Sequence, residues 1–172
     1  GAPMHLPRKS QAFLRGDGEE AKGISSTFND VSEICGRVCY QEMQCQGSCV
    51  YNKLGKPIQI GKLERFISDT YELPVKPGAK AQGHIAIVGS GPSGLACAYD
   101  CAKAGLKVTV FDKSEAIGGV LRYGIPTYRL PEKILDRRIN ELIKLGVEFH
   151  LNEAVGDALK YENLMFKYDA LM

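Results

Sequence analysis

Residues 84–94 read HIAIVGSGPSG: a short apolar run rich in β-branched residues, then Gly89-Ser90-Gly91-Pro92-Ser93-Gly94. No other stretch limits the fold as much. The run predicts a buried strand, and the GxGxxG spacing turns the chain sharply from strand into helix. Gly89 permits the tight turn. Gly91 lets the backbone come close to a pyrophosphate, where a Cβ would collide. Gly94 lets helix and strand pack closely. The first amides of the helix then face the phosphates with a partial positive charge, contributing about 0.3–1 kcal/mol per charge at exposed sites. PSGLACAYDCAKAG (92–105) predicts that helix, closed by Gly105, and KVTVFD (107–112) predicts the next strand. Asp112 stands 18 residues after Gly94, near the ~20 expected of the acid that accepts a hydrogen bond from a ribose hydroxyl. The plain alternative is an ordinary Gly-rich strand–helix turn. An acid at 112 disfavours a 2′-phosphate, although Lys113 offsets part of that. The pattern alone does not separate FAD from NAD.

The alternation continues. RLPEKILDRRINELIKLG predicts a helix with Pro131 at its start, Gly146 just past its end, and Ile134, Leu135, Ile139, Leu142 and Ile143 as its apolar stripe. Arg137 and Arg138 are assigned to its solvated face. GVEFHL predicts a third strand, residues 161–168 a short helix, and YDALM a fourth strand. A Gly-containing loop (Gly118, Gly119, Gly124) precedes the long helix. Upstream the character changes. QAFLRGDGEEAKGI, broken by Gly16 and Gly18, allows two short helices. Gly61–Tyr71 spaces Leu63, Phe66, Ile67 and Tyr71 on one helix face. LPVKPGAKAQG (73–83) reads as a linker across a domain surface. The expected organisation is α/β: a small helical domain with linker at 1–80, then a partial Rossmann-like parallel sheet with flanking helices at 81–172. With a strand at the last residue, a truncated fragment or a cleaved chain is expected.

Four cysteines, Cys35, Cys39, Cys45 and Cys49, fall within 15 residues. The opening residues lack the apolar core of a secretory signal, so a cytoplasmic chain with reduced thiols is expected. Clustered reduced cysteines point to metal. Structural zinc sites use closely spaced pairs separated by a longer loop; here the middle gap is only five residues. Iron–sulfur, zinc and unligated thiols all stay open on spacing alone. Cys97 and Cys101, four apart on the helix after the glycine loop, are expected to be packing residues, since an i, i+4 pair suits a disulfide poorly. Lys plus Arg is 22 against 20 Asp plus Glu, a net charge of +2, which argues against non-specific nucleic-acid binding. No apolar run approaches the ~20 residues of a membrane span.

CGRVCYQEMQCQGSC, GKPIQIGKLERF, IAIVGSGPSGLACAYDCAKAGLKVTVFDK and GGVLRYGIPTYRLP follow one another in the order seen in one family. Together, over roughly residues 5–172, they resemble the glutamate synthase small (beta) subunit and its relatives. Those relatives are the N-terminal part of dihydropyrimidine dehydrogenase and the large subunit of NADH-dependent ferredoxin:NADP oxidoreductases. The resemblance implies a helical domain with two [4Fe–4S] clusters, followed by domains for FAD and NAD(P)H. It implies Cys39 and Cys45 as ligands of one cluster with Glu64, and Cys49 as a ligand of the other, Cys35 not being a ligand. The remaining ligands belong to an earlier cysteine motif that residues 1–34 do not contain. Tyr40 stands where the family usually has proline. For FAD it implies Gly89, Ser90, Gly91, Pro92, Ser93 and Gly94 at the pyrophosphate and Asp112 at the ribose. Gly119, Val120 and Arg129 would lie in the loop passing the flavin, and Val155 near the adenine.

The expected function is therefore electron transfer from NAD(P)H through FAD to [4Fe–4S] clusters and on to a catalytic partner subunit such as a glutamate synthase large subunit. No side chain is expected to act as acid or base. NAD(P)H would bind in a part of the full protein that this stretch does not contain. The isolated stretch is expected to be inactive, and its open sheet edge after Met172 would allow a homo-oligomer. The alternatives are a non-catalytic fragment or a zinc-stabilised nucleotide-binding module.

Overall fold

The computed structural model describes residues 5–71, 78–156, 159 and 161–172. The chain divides into two compact units, Gly1–Pro74 and Val75–Met172.

In the first unit, α1 (His5–Leu14) and α2 (Gly18–Phe28) are separated at Gly16, whose φ of +82° suits glycine. Asp17 caps α2 by accepting a hydrogen bond from the Glu20 amide at 2.9 Å. Helix α3 (Ser32–Val38) follows, then two short 3₁₀ turns, then α4 (Ile60–Thr70). The apolar core is small: Ala12, Ala21 and Ile67, flanked by Phe13, Ile24, Leu63 and Tyr71. Polar pairs supplement it. Lys9 Nζ on α1 donates to Glu64 Oε1 on α4 at 2.9 Å, and Lys22 Nζ donates to Ser68 Oγ at 3.2 Å. Helices α3 and α4 meet at glycines, since a Cβ on Gly36 would fall 2.8 Å from the Gly61 carbonyl oxygen.

Among the described residues of the second unit, four parallel strands lie in the order β3-β2-β1-β4: β1 (His84–Val88), β2 (Lys107–Phe111), β3 (Glu148–His150) and β4 (Ala170–Leu171). Ala86 pairs with Thr109, Thr109 with Glu148, and Ala86 with Leu171. Helices α5 (Pro92–Lys103), α6 (Val120–Tyr123), α7 (Glu132–Lys144) and α8 (Tyr161–Lys167) make the connections. Gly105 and Gly146 follow α5 and α7 with φ of +84° and +89°, the left-handed positions expected of them. Leu164 and Tyr168 pack with Ala86 and Phe111.

Part of the linker expected at 73–83 lies outside the described residues, at 73–77. Residues 78–83 are bonded to the second unit: the Ala81 amide donates to the Gly105 carbonyl and the Lys107 amide to that of Gly83, both at 3.0 Å. Three other expectations are corrected. The 113–131 loop contains the single-turn α6. Ile143 is exposed rather than part of the α7 apolar stripe. Arg138 is buried rather than solvated: its guanidinium lies 4.7 Å from the Tyr99 ring centroid and 2.8 Å from Glu141, so the aromatic face and a carboxylate together replace water.

Candidate dinucleotide site and thiol cluster

The Gly-rich turn sits at the carboxyl ends of β1 and β2. The Gly89 amide donates to the Phe111 carbonyl at 2.7 Å, and Gly89 adopts φ +101°, so turning out of β1 requires glycine. A Cβ on Gly94 would lie 1.9 Å from the Gly89 carbonyl oxygen, the close helix–strand contact that position was expected to make. Gly91 is different. Its φ is −70°, and a Cβ there would meet nothing within 4 Å. Among the described residues nothing requires glycine at 91, but a ligand resting on that backbone would. Gly91 is also the N-cap of α5, Pro92 opens the helix, and no side chain caps it. The first-turn amides therefore have no acceptor within the helix and face the open side of the turn.

Asp112 is almost fully buried. Its Oδ2 accepts from the Ser90 amide at 2.6 Å and from the Ser90 hydroxyl at 2.5 Å, and its Oδ1 accepts from the Ser114 amide at 2.8 Å. Burial pushes this carboxyl up, but the hydrogen bonds from Ser90 and Ser114 outweigh burial and hold it below the ordinary value of 3.8. Ser90, wholly buried, also accepts from the Gly118 amide through Oγ at 3.1 Å. The next residue, Gly119, has φ +52°, and a Cβ on it would fall 2.9 Å from Gly91 Cα. Three segments thus converge: the turn 89–94, the end of β2 at Asp112, and the Gly118–Gly119 corner that opens α6.

Among the other expected residues, Ser93 is exposed on the first turn of α5 and Val120 is exposed on α6. Arg129 is exposed in the 124–131 turn, where its amide donates to the Pro126 carbonyl at 2.9 Å. Val155 pairs with Leu159 in an isolated bridge and packs against the Ala86–Phe111–Leu164–Tyr168 cluster. Its loop is tied to the site by the Glu153 amide, which donates to the Asp112 carbonyl at 3.0 Å. Sequence reasoning did not single out Ser114, nor the hydroxyl of Ser90 as a bridge. A small hydroxyl residue inside the glycine pattern, 22 positions before an acid at a strand end, was the available signal.

The thiols are arranged less tightly. Cys35 lies within α3 and Cys39 is its C-cap, while Cys45 and Cys49 lie in the irregular segment that follows. All four are half-buried. Burial, then the neighbouring Cys39, push the Cys35 thiol up to about 11. Among the described residues, no group of three or more His, Cys, Asp or Glu side chains is gathered as a metal site. Glu64, expected as a ligand, is paired with Lys9. Cys97 and Cys101 face each other on α5 with sulfurs 3.9 Å apart, and burial raises Cys97 to about 11, as suits packing thiols.

Residues 4–73 match the family described as dihydropyrimidine dehydrogenase domain II, 4Fe–4S cluster. Residues 87–142 match the NAD(P)-binding Rossmann-like domain. The chain is 40% identical to the glutamate synthase [NADPH] small chain of Escherichia coli, over 98% of this chain and 37% of that protein. It is 37% identical to the NAD-dependent dihydropyrimidine dehydrogenase subunit PreT of Salmonella typhimurium, over 88% of this chain and 38% of that one. The chain thus spans somewhat more than a third of the length of these relatives. Among the described residues, no helix is long and apolar enough to cross a membrane.

Proposed function

We propose, for a chain homologous over nearly its whole length to the glutamate synthase small chains, that it is the dinucleotide-binding and iron–sulfur portion of an NAD(P)H-dependent oxidoreductase that passes electrons to a partner subunit. One observation carries the nucleotide half: the unfilled space over Gly91, at the uncapped start of α5. The ligand we assign there is FAD. Bound flavin takes up a hydride and gives up electrons one at a time. The chain's own task is to bind, orient and shield. The amides of α5's first turn take the diphosphate, Gly91 admits it, and Gly119 lies against Gly91. No side chain in the turn is placed to move a proton.

The iron–sulfur half rests on the family match at 4–73 and on Cys39, Cys45 and Cys49 as thiolate donors. Among the described residues the donors are not gathered into a group of three or more, and Glu64 is paired with Lys9. We therefore derive no step through it. The acceptor of the electrons, by analogy with relatives named as a small chain and a subunit, is a separate polypeptide. Self-association through the β4 edge is the second arrangement we propose, since among the described residues β4 borders β1 alone.

The test is cofactor retention. The 172-residue chain is incubated anaerobically with FAD, ferrous iron and sulfide, then desalted. The expected result is a retained flavin band near ~450 nm in about equimolar amount. A broad shoulder near ~400 nm would add the cluster. A chain that leaves the column without flavin contradicts the nucleotide reading.

A further inference from the structure

Three side chains bond three consecutive residues of the corner that opens α6. The Ala116 amide donates to Tyr123 Oη at 3.1 Å, Arg122 Nε donates to the Ile117 carbonyl at 2.8 Å, and the Gly118 amide donates to Ser90 Oγ at 3.1 Å. Such a corner needs ties. Gly118 and Gly119 both take positive φ, +132° and +52°, and glycine loses more backbone freedom on ordering than any other residue. Helix α6 is a single turn, too short to hold itself. Its placement matters because Gly119 lies against the glycine turn, where a Cβ on it would fall 2.9 Å from Gly91 Cα.

Tyr123 belongs to α6 and moves with the corner, and Ser90 belongs to the glycine turn itself. Arg122 reaches outside both. Its Nη2 is paired with Asp136 Oδ1 on α7, and its side chain is only 19% exposed. One guanidinium thus holds a backbone carbonyl of the corner through Nε and a carboxylate of a 13-residue helix through Nη2. A planar fork makes both bonds at once, whereas a lysine ammonium is a point donor on a flexible stem.

From this geometry we infer that Arg122, braced on Asp136, is a positioning residue that holds the Gly118–Gly119 corner at its distance from Gly91 and so sets how tightly the turn receives a dinucleotide. This role rests on the FAD reading above. Asp136 acts through Arg122, so the two should behave as one unit in a double-mutant cycle.

The experiment uses the whole chain. FAD is titrated, followed by flavin fluorescence, into the parent, Arg122→Gln, Arg122→Lys, Asp136→Asn, the Arg122→Gln/Asp136→Asn double variant and Arg138→Met. Unfolding midpoints and amide exchange at Gly118 are measured without FAD. Arg138→Met is the control for stability alone: Arg138 is buried on the same helix but is held by Tyr99 and Glu141, not by the corner. Arg122→Lys keeps the charge if Arg122→Gln proves poorly folded. Arg122→Gln is expected to weaken FAD at least tenfold and to quicken Gly118 exchange at least tenfold. Arg122→Lys is expected to lose about fivefold or more, and the double variant to match Arg122→Gln within about threefold. Arg138→Met is expected to lower the unfolding midpoint and to keep FAD affinity within about twofold. Affinities that simply follow the unfolding midpoints, Arg138→Met included, overturn the inference. So does an Arg122→Lys that binds like the parent, because charge alone would then suffice, and so do multiplicative losses in the double variant. If the parent takes up no FAD, the flavin reading fails, and unchanged Gly118 exchange in Arg122→Gln would still reject the brace by itself.

Discussion

Lys9 Nζ lies 2.9 Å from Glu64 Oε1, an ion pair between α1 and α4 with side chains only 7% and 16% exposed. Two charges held that far from water stabilise the fold only while both are present, because each depends on the other for its lost hydration. The pair also holds the one carboxylate that the family resemblance offers to iron.

Lys9→Met leaves the Glu64 carboxylate without its counter-charge and is expected to cost about 3 kcal/mol of unfolding free energy. Lys9→Met combined with Glu64→Leu is expected to recover most of that loss. Urea unfolding of the parent and the two variants measures both. A single variant as stable as the parent would mean that the pair contributes nothing in solution.

The two glycines of the turn should separate folding from binding. Gly94→Ala drives a Cβ against the Gly89 backbone oxygen, with no flexible side chain to give way, and should cost about 1–3 kcal/mol or more. Gly91→Ala adds a methyl into open space at an ordinary φ and should change stability by no more than about 0.5 kcal/mol. Thermal unfolding without ligand decides; equal losses at both positions would contradict the geometry.

Acid should act in two windows. His84 is held below the ordinary 6.5, by burial first and by Lys107 next. A depressed folded value means that its contribution is present above about pH 6.5 and is lost as pH falls through the lower folded value. Asp112, held below 3.8, likewise contributes above that pH and loses its contribution as pH falls through its folded value. Denaturation between about pH 3 and pH 8 is expected to show a shallow decline below about 6.5 that His84→Gln flattens. A steeper decline below about 3.8 should be reduced in Asp112→Asn. Parallel profiles for parent and variants would refute both assignments.

How legible the fold was in the sequence depended on whether the signal was local. The β1–α5–β2 unit was readable because Gly89, Gly94 and Gly105 answer to backbone rules that hold in any such turn, and α7 because Pro131 and Gly146 bracket a 3.6-residue apolar repeat. Helix α6 was not, since four residues between glycines carry no periodicity. Gly36 lies inside α3 because of a helix–helix contact with Gly61 that no neighbour in sequence reveals. Arg138 looked solvated for the same reason: Tyr99, which covers it, is on another helix. At the site, the positions of the turn glycines were legible. The contact between Asp112 and the Ser90 hydroxyl was not, because it forms only after β1 and β2 have paired.

The most direct measurement is a titration of FAD into the parent chain and into Gly91→Val, with unfolding midpoints recorded beside it. The parent is expected to bind, and the variant to bind at least tenfold more weakly, a loss of about 1.4 kcal/mol or more, with its unfolding midpoint unchanged. Equal affinities in the two proteins, or no uptake of FAD by the parent, would contradict the claim that this turn cradles the diphosphate.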